Sequence, residues 1–392
     1  MATKEHSLNV LFFSPYFYPY ISGLTQYPYR LFMENGLPIK TMCLTFHHDP
    51  HLPTDQEMGP LLHVRRMPFL FRISKGFISP QSLVHFWNET KKNDVVMVNL
   101  PSFEGLLLSI FAVLQRKPLI SLLHCEVLLP FSIPNITINF ILNCGVFFQL
   151  FLSKKIIVYT EDYYEKKWMY HFFKDKMEVI PPPVHTSAPN ASYLKELGIM
   201  KNKYKYSIGF CGRIAAEKGI EILIESVSSL KNTIVFFAGP TGKDVIGEEI
   251  YYAKIQRLLN MKKIPHVFLG ILSAGKLSSF YRIIDVLVLP SLNKTEAFGM
   301  VQVEAMLQGT PVIASNLPGV RVPIILTKMG ILTAPYNSLE IKDAILEIVN
   351  FKEKYSNKEL IENAKNIFDS KKTYDSIYSV IKSQMSQIRH SE

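Results

Sequence analysis

Two cations in the second half of the sequence are spaced to bind a diphosphate. Arg213 and Lys218 lie in the stretch GFCGRIAAEKG, between a predicted strand that ends at Gly212 and a predicted helix that begins near Gly219. Cationic side chains on such a loop neutralise a diphosphate, and they stabilise it most when it departs as a leaving group. The alternative interpretation is a solvated basic loop that binds nothing.

A second stretch combines a predicted helix N-terminus with two glutamates. It reads EAFGMVQVEAMLQGTPVIAS, starts at Glu296 and follows a predicted buried strand. Its apolar residues recur at helical spacing, which places Ala297, Phe298 and Gly299 at the helix N-terminus, where N–H groups and the helix dipole attract anions. Glu304 lies about two turns along and can accept hydrogen bonds from sugar or ribose hydroxyls. The alternative is an ordinary surface helix with two solvated acids.

A parallel α/β fold is needed to position these loops, and the sequence predicts one. Short apolar runs alternate with longer amphipathic runs, as in βα units around a parallel sheet. The run Pro181-Pro182-Pro183 interrupts this alternation and predicts a stiff connection. We therefore predict a Rossmann-like domain over residues 1–183, a second over 184–356, and a helical tail over 357–392 that packs back on the first. A ligand is expected in the cleft between two such domains.

The predicted strands are short runs rich in β-branched and large apolar residues. In the first domain they are Asn9–Phe13, Ile39–Thr45, Val95–Asn99, Leu119–Leu123 and Ile156–Tyr159, and the proline-containing connection Val179–Val184 follows them. In the second domain they are Ser207–Cys211, Ile234–Ala238, His266–Leu269, Val286–Leu289 and Pro311–Ala314.

Composition excludes several classes of protein. The 392 residues are 48% hydrophobic and 19% charged with a net charge of +10, which indicates a globular chain that suits an anionic partner. The basic residues occur in scattered pairs without a zinc-finger or RRM signature, so we expect no nucleic-acid partner. The four cysteines lack metal-type spacing and the first residues do not read as a secretory signal. We therefore expect a reducing, cytoplasmic location.

With these motifs, residues 205–335 resemble the GT-B-fold retaining glycosyltransferases of family 4, and the N-terminal half resembles them more weakly. Glu296 and Glu304, with seven residues between them, match the E-x7-E motif of that family, and Arg213 with Lys218 matches its diphosphate-binding pair. The resemblance implies transfer of a sugar from a nucleotide donor, a UDP- or GDP-sugar, with retained anomeric configuration. It also implies that no metal or other cofactor is obligatory.

The resemblance also implies a role for each residue of the second stretch. Glu296 is expected to contact the donor sugar and Glu304 the ribose. The backbone amides of Ala297, Phe298 and Gly299 are expected to contact the sugar or the phosphate.

Two N-terminal features extend the resemblance. Gly23, in Ser-Gly-Leu after the first predicted strand, stands where the family has two glycines that approach the donor phosphate and the acceptor. His124 follows the fourth predicted strand at the position of the family's active-site histidine, which contacts the sugar; the alternative is a structural histidine. The Gly-Gly and Glu that many members carry after Pro-Gly are replaced by Val320-Arg321-Val322-Pro323. We assign no role to Arg321.

A histidine-rich segment is the sequence's candidate for a metal site. His47, His48, Asp49 and His51 occur together, but Pro50 and Pro53 mark the segment as a loop. Because the resembled family needs no metal there, we predict none.

Two segments raise the question of a membrane. Residues 127–153 contain no Asp, Glu, Lys, Arg or His, but Pro130 and Pro134 interrupt them, so we predict a helix that packs on the sheet or lies in a membrane interface. Residues 62–77 interleave cations with large apolar side chains, and Lys154-Lys155 follow the uncharged stretch. These features suggest a peripheral protein on the inner face of a membrane, whose N-terminal domain meets a lipid-linked acceptor.

The sequence thus predicts a retaining glycosyltransferase that moves a sugar to a glycan or lipid-linked acceptor in cell-surface polysaccharide or glycolipid synthesis. One alternative is a sugar-nucleotide epimerase of GT-B architecture, which would interconvert donors without an acceptor. Another is a non-catalytic subunit that binds a sugar nucleotide. The complete set of Arg213, Lys218, Glu296 and Glu304 argues against a non-catalytic module.

Overall fold

The computed structural model describes residues 8–33, 37–73, 76–126, 133–242 and 248–389. The chain divides into two units, one comprising the residues up to Pro183 together with those from Ser370 onward, the other Val184–Asp369. Each unit contains a mainly parallel sheet with helices packed on it. The predicted α/β class with two Rossmann-like domains is confirmed.

The strands of the first unit are short, and β7 and β8, near the centre of the main sheet, are buried at every position. They are β1 (Asn9–Phe13), β2 (Lys40–Phe46), β3 (Asp55–Glu57), β4 (Leu62–Met67), β5 (Phe71–Ile73), β6 (Gly76–Ile78), β7 (Val95–Leu100), β8 (Leu119–Leu123), β9 (Lys155–Val158) and β10 (Met177–Val179). Within the described residues the main sheet has the order β10-β9-β8-β7-β1-β2-β4-β3, with β3 antiparallel to β4 and the other pairs parallel. Strands β5 and β6 pair with each other as a separate hairpin.

Helices join these strands on both faces of the sheet. They are α1 (Gly23–Met33), α2 (Ser82–Lys92), α3 (Gly105–Leu114), α4 (Ile133–Leu152), α5 (Glu161–Tyr164) and α6 (Trp168–Phe173). The segments that contain α2, α3 and α4 each lead to a strand nearer to the β10 edge of the sheet. Because parallel crossovers are right-handed, these three helices lie on one face, and α1, whose connection steps the other way, lies on the opposite face.

The second unit repeats the same plan. Its strands are β11 (Tyr206–Cys211), β12 (Thr233–Ala238), β13 (His266–Gly270), β14 (Val286–Leu289), β15 (Val312–Ser315) and β16 (Gly330–Thr333). Its helices are α7 (Ala191–Lys201), α8 (Ile220–Ser228), α9 (Glu249–Met261), α10 (Ala274–Ile283), α11 (Met300–Leu307), α12 (Val322–Thr327), α13 (Ser338–Asn350), α14 (Lys352–Tyr355) and α15 (Lys358–Ile367). The strand order, β13-β12-β11-β14-β15-β16, is the doubly wound order of a dinucleotide-binding fold.

Alternating side chains bury both faces of the second sheet. On β12, Val235 and Phe237 enter one apolar layer beneath α8 and α13, whereas Phe236 and Ala238 enter the other. A parallel strand covered on both faces is expected to be apolar at every position, and all six residues of β12 are buried.

The predicted tail is divided between the two units. Helix α15 packs on α11 and α12, and its Ala364 is buried in the core of the second unit. Helix α16 (Ser370–Arg389) belongs to the first unit, where Tyr374 Oη donates to Arg30 O at 3.1 Å and Thr373 Oγ1 donates to Pro181 O at 3.2 Å. The return to the first unit thus begins at Ser370 rather than at residue 357, because α15 is needed to cover α11 and α12.

The basic pair of the segment 62–77 does not face outward as the membrane hypothesis requires. Strand β4 lies inside the sheet between β2 and β3, and Arg66 is 1% exposed, with Nη1 donating to Pro53 O at 2.8 Å. Arg65 forms ion pairs with Asp55 and Glu89 at 2.7 and 3.0 Å. The interpretation of these two arginines as cations for a lipid leaflet is therefore wrong.

Residues 127–132 of the uncharged stretch 127–153 lie outside the described residues. The following residues, up to Leu152, form α4. In the part of the chain that the structure describes, none of the helices combines the length and the apolar character that crossing a bilayer requires.

Candidate active site

The two motif loops of the second unit lie beside each other at the carboxyl edge of its sheet. The strand order reverses between β11 and β14, and ligands of doubly wound sheets bind at such a reversal, beyond the carboxyl ends of the strands. The loop after β11 carries Arg213 and Lys218. The loop after β14 carries Glu296 and leads into α11. The sequence-predicted residues are therefore brought to one place by the topology of this unit.

Close contacts between backbone atoms join the two loops. Gly219 has φ +67°, and a Cβ there would lie 2.2 Å from the carbonyl oxygen of Pro290. The backbone N–H of Leu292 donates to Glu217 O at 2.9 Å. Only glycine permits both the left-handed backbone and this close approach. The relative position of the loops is thus set by their backbones.

Both cations that are predicted to bind a diphosphate form ion pairs with carboxylates. Lys218 Nζ donates to Glu296 Oε2 in an ion pair that links the two loops, and both side chains are largely buried. Arg213 Nη2 donates to Glu217 Oε1 at 2.7 Å. A diphosphate is a stronger and more highly charged acceptor than either carboxylate, so it can draw both cations to itself.

The helix N-terminus forms as the sequence predicts. Gly299 has φ +76° and immediately precedes α11, and a Cβ at this position would lie 2.6 Å from Leu289 Cδ2. The side chain of Gln302 fixes the turn by donating to Phe298 O at 2.8 Å and to Val320 O at 2.9 Å. Ala297 and Phe298 are buried. The first-turn N–H groups of α11 therefore point from a rigid turn toward the same edge of the sheet.

Glu304 is more enclosed than the sequence suggests. It lies on α11, is 4% exposed, and its Oε2 accepts a hydrogen bond of 2.6 Å from Tyr281 Oη. Burial raises the pKa of Tyr281 well above its ordinary value, so the phenol keeps its proton and remains a donor to the carboxylate. This hydrogen bond fixes the orientation of Glu304.

Sequence reasoning missed two partners in this unit. Glu217 follows Arg213 by four residues, a spacing that signals an ion pair on one side of a turn. Tyr281 lies on α10, and nothing in the local sequence connects it with Glu304, 23 residues away.

The N-terminal candidates lie in the first unit. Gly23 is the first residue of α1, is exposed, and has open space where a Cβ would lie. His124 follows β8 and is 2% exposed. Its Nδ1 is hydrogen-bonded to Tyr159 Oη and its Nε2 to Asn99 Oδ1. Burial lowers the pKa of His124 to about 3, so the ring is neutral.

His124 thus belongs to a buried polar network at the carboxyl edge of the first sheet. Asn99, at the end of β7, donates from Nδ2 to Ser14 Oγ at 2.9 Å and to Leu24 O at 3.0 Å, which ties the loops after β1 and β7 together. With both ring nitrogens engaged and almost no exposed surface, His124 supports this edge in the described conformation. The sugar contact that the resemblance implies for it stays a prediction.

The histidine-rich loop is packed rather than clustered. His47 Nε2 is hydrogen-bonded to Leu52 O at 2.7 Å, and the ring of His48 packs against Tyr16 and Tyr20 at centroid distances of 5.3 and 5.7 Å. Among the described residues, no three His, Cys, Asp or Glu side chains are arranged to hold a metal ion.

The class defined by these features is a chain of two Rossmann-like units whose second unit presents cations, carboxylates and a helix N-terminus at the reversal of its strand order. The family model described as glycosyl transferases group 1 matches residues 198–367, almost the whole of that unit. The chain is thus similar to this family over that segment, which is less than half of its length.

Individual relatives are consistent with this assignment. The chain is 33% identical over 169 residues to the uncharacterized glycosyltransferase MJ1178 of Methanocaldococcus jannaschii, a match that covers 43% of this chain and 44% of that protein. The chain thus spans less than half the length of this curated relative.

Solved structures resemble the chain over nearly its full length. Anabaena Alr3699/HepE, in complex with UDP and glucose, has a TM-score of 0.73 at 18% identity and covers 95% of this chain and 99% of its own. WaaG, a glycosyltransferase involved in lipopolysaccharide biosynthesis, has a TM-score of 0.65 at 16% identity and covers the same shares. At these identities the likeness establishes the fold, which is GT-B.

Proposed function

We propose that the protein is a retaining glycosyltransferase that transfers a hexose from a nucleotide-sugar donor. The observation that carries the proposal is the ion pair of Lys218 and Glu296, which joins two loops that are also in backbone contact, within the segment that matches the glycosyl transferases group 1 model. Cations for a leaving diphosphate and a carboxylate for sugar hydroxyls are the groups that such a transfer needs in one place.

The proposed donor is a UDP- or GDP-sugar. Lys218 and Arg213 bind the diphosphate, the first-turn amides of α11 add donors to it, and Glu304 accepts from the ribose hydroxyls. Glu296, released from Lys218, accepts from hydroxyls of the donor sugar. The complex of Alr3699/HepE with UDP and glucose supports UDP as the first nucleotide to test.

We propose that the acceptor attacks the donor sugar on the same face from which the diphosphate departs, so that the anomeric configuration is retained. The bond between the anomeric carbon and the diphosphate oxygen breaks, and the acceptor oxygen bonds to that carbon. The acceptor proton passes to the departing diphosphate oxygen. Lys218 and Arg213 stabilise the negative charge that develops on the diphosphate, so the step requires no carboxylate nucleophile.

The proposed acceptor is a glycan or a lipid-linked sugar used in cell-surface polysaccharide or glycolipid synthesis, with the protein in the cytoplasm at the inner face of a membrane. The likeness to WaaG, which acts in lipopolysaccharide biosynthesis, supports this choice. The exposed apolar side chains of α4 support a location next to lipid.

A panel of UDP-, GDP- and ADP-sugars tests the proposal. A true donor is expected to raise the melting temperature, since a ligand that binds only the folded state stabilises it by mass action. Incubation with acceptor extracts and the selected donor is then expected to release the nucleoside diphosphate, and NMR of the product is expected to show the donor's anomeric configuration. Conversion of the donor without an acceptor would indicate an epimerase. Binding without any turnover would indicate a non-catalytic subunit.

A further inference from the structure

The outer surface of the helical layer α2–α3–α4–α6 in the first unit is apolar. Large side chains point away from the sheet on three of these helices and on the turn before α3. They are Phe103, Leu107, Ile110 and Leu114 around α3, Ile136, Phe140, Ile141, Phe148 and Phe151 on α4, and Trp168 and Phe172 on α6. We call this set the outer helical face.

These side chains form one surface rather than scattered exposures. A Cβ on Gly145 of α4 would lie 3.0 Å from the ring of Phe103, so α4 packs directly against the start of α3. The ring of Phe147 on α4 stacks on Trp168 at 5.4 Å and meets Phe172 at 5.9 Å. The three helices therefore present their exposed apolar residues side by side.

The spacing shows that the apolar residues occupy a defined stripe of each helix. On α4, Ile136, Phe140, Phe148 and Phe151 repeat at intervals of one or two turns, and Phe140 is 69% exposed. Such a stripe ordinarily faces a core, and soluble proteins rarely leave a contiguous apolar surface of this size open. The outer helical face therefore has the composition of a contact surface.

Cations border this face along one edge. Basic pairs lie at the ends of three consecutive helices of the layer: Lys91-Lys92 in the last turn of α2, Arg116-Lys117 after α3 and Lys154-Lys155 after α4. Because these helices precede β7, β8 and β9, their C-termini lie at the same, amino-terminal edge of the parallel sheet. In two of these pairs one lysine forms an ion pair with a glutamate, Lys92 with Glu89 and Lys155 with Glu178.

Lys91 of this border, and Lys176 just before β10, each lie against an aromatic ring. Lys91 Nζ is 5.2 Å from the centroid of the Trp87 ring. Lys176 Nζ donates to Phe151 O at 2.7 Å and lies 5.6 Å from the centroid of that ring. Lysines beside exposed aromatic rings extend their charge to lipid phosphates while their methylene groups remain in apolar surroundings.

We propose that the outer helical face docks on an anionic lipid bilayer. The apolar stripes enter the boundary between headgroups and acyl chains, and the basic border binds the headgroups. An anionic bilayer fits better than a protein partner because the face combines a broad apolar surface with cations along its edge. This inference makes the proposed function more specific, because it favours a lipid-linked acceptor. The choice of acceptor in turn rests on the proposed function.

Flotation of the full-length protein with vesicles tests the docking surface. The wild-type protein is expected to float with vesicles that contain phosphatidylglycerol, and much less with phosphatidylcholine alone or at high salt. The double variant F140S/F148S removes two exposed rings and is expected to lower partitioning by about tenfold or more. The matched control I250S/L339S removes two apolar side chains of the second unit that are 88% and 66% exposed, against 69% and 56% for Phe140 and Phe148, and is expected to float normally.

Each other outcome overturns the proposal. Wild-type protein that stays at the bottom of the gradient at low salt, or an F140S/F148S variant that floats as well as wild type, excludes lipid docking by this face. A dimer that the same variant dissociates in gel filtration would assign the face to a second copy of the chain. Donor binding is scored separately by thermal shift. A wild-type protein that turns over donor but does not bind vesicles defeats the docking surface alone, and one that binds vesicles but does not turn over donor defeats the proposed function alone.

Discussion

Lys218 and Glu296 form an ion pair between the two loops at the strand-order reversal of the second unit, 78 residues apart in the sequence. Each of them is assigned by the resemblance to a different part of the donor, the diphosphate and the sugar. In the structure they neutralise each other, which pairs two charges in a largely buried place. The proposed donor is therefore expected to exchange this internal pair for two contacts with itself.

Lys218→Ala is expected to reduce turnover roughly 100-fold or more, because the departing diphosphate loses a charge-stabilising donor. Release of the nucleoside diphosphate from the selected donor measures the effect. Lys262→Ala is the matched control, since Lys262 forms a comparable ion pair with Glu225 of the same unit at 2.7 Å. Near-normal turnover of Lys218→Ala would remove this lysine from the mechanism.

Glu296→Gln separates the two halves of the donor site. The amide is a poorer acceptor for sugar hydroxyls, so turnover is expected to fall roughly 10- to 100-fold. UDP lacks the transferred sugar, and its affinity is expected to stay the same or rise because Lys218 no longer has a competing carboxylate. Calorimetric titration with UDP measures the second effect, with Glu225→Gln as the control. Weakened UDP binding would contradict the ion-pair exchange.

Tyr281→Phe is expected to raise the KM for the donor roughly tenfold with little change in kcat. Its hydroxyl orients Glu304, which is proposed to bind the ribose, a part of the donor that does not react. Initial rates over a range of donor concentrations measure both constants. Tyr281 is a positioning residue in this account, so a fall in kcat at unchanged KM would contradict it.

Tyr251→Phe is the control for that experiment. Tyr251 also donates from its hydroxyl to a glutamate of the second unit, Glu221, but it lies outside the two motif loops. Its removal is expected to leave both constants unchanged.

Much of the fold could be predicted from the sequence because buried parallel strands are continuous apolar runs. Asn9–Phe13, Leu119–Leu123 and Val286–Leu289 were predicted with the bounds that the structure has. Strand β4 was missed because two arginines interrupt its apolar pattern. Arg66 can be buried because its guanidinium group donates to acceptors on other segments, including Gln56 Oε1 at 2.9 Å. Local sequence patterns do not reveal these acceptors.

The candidate site was predictable to the extent that its residues occur in two continuous motifs. Arg213, Lys218 and Glu296 follow strands, and strand ends at a reversal converge by topology alone. The burial of Glu304 and of His124 was not predictable, since it depends on Tyr281 and Tyr159, which come from other elements. Sequence spacing indicates which face a residue occupies but not what covers it.

His124 is expected to make the stability of the protein depend on pH. Its pKa is lowered to about 3 in the folded state, against 6.5 in an exposed histidine. Between these values the unfolded chain binds the additional proton, so stability is complete above pH 6.5 and falls as the pH falls toward 3. From pH 7 to pH 5 the loss from this group is about 2 kcal/mol.

Urea unfolding at pH 7 and pH 5 measures this loss when the wild type is compared with His124→Gln, which cannot take up a proton. The carboxylates contribute equally to both proteins, so the difference between their pH dependences isolates the histidine. The wild type is expected to lose about 2 kcal/mol more than the variant between the two pH values. Equal losses would mean that the ring titrates normally, and the buried network of His124, Asn99 and Tyr159 would then be open to water rather than closed.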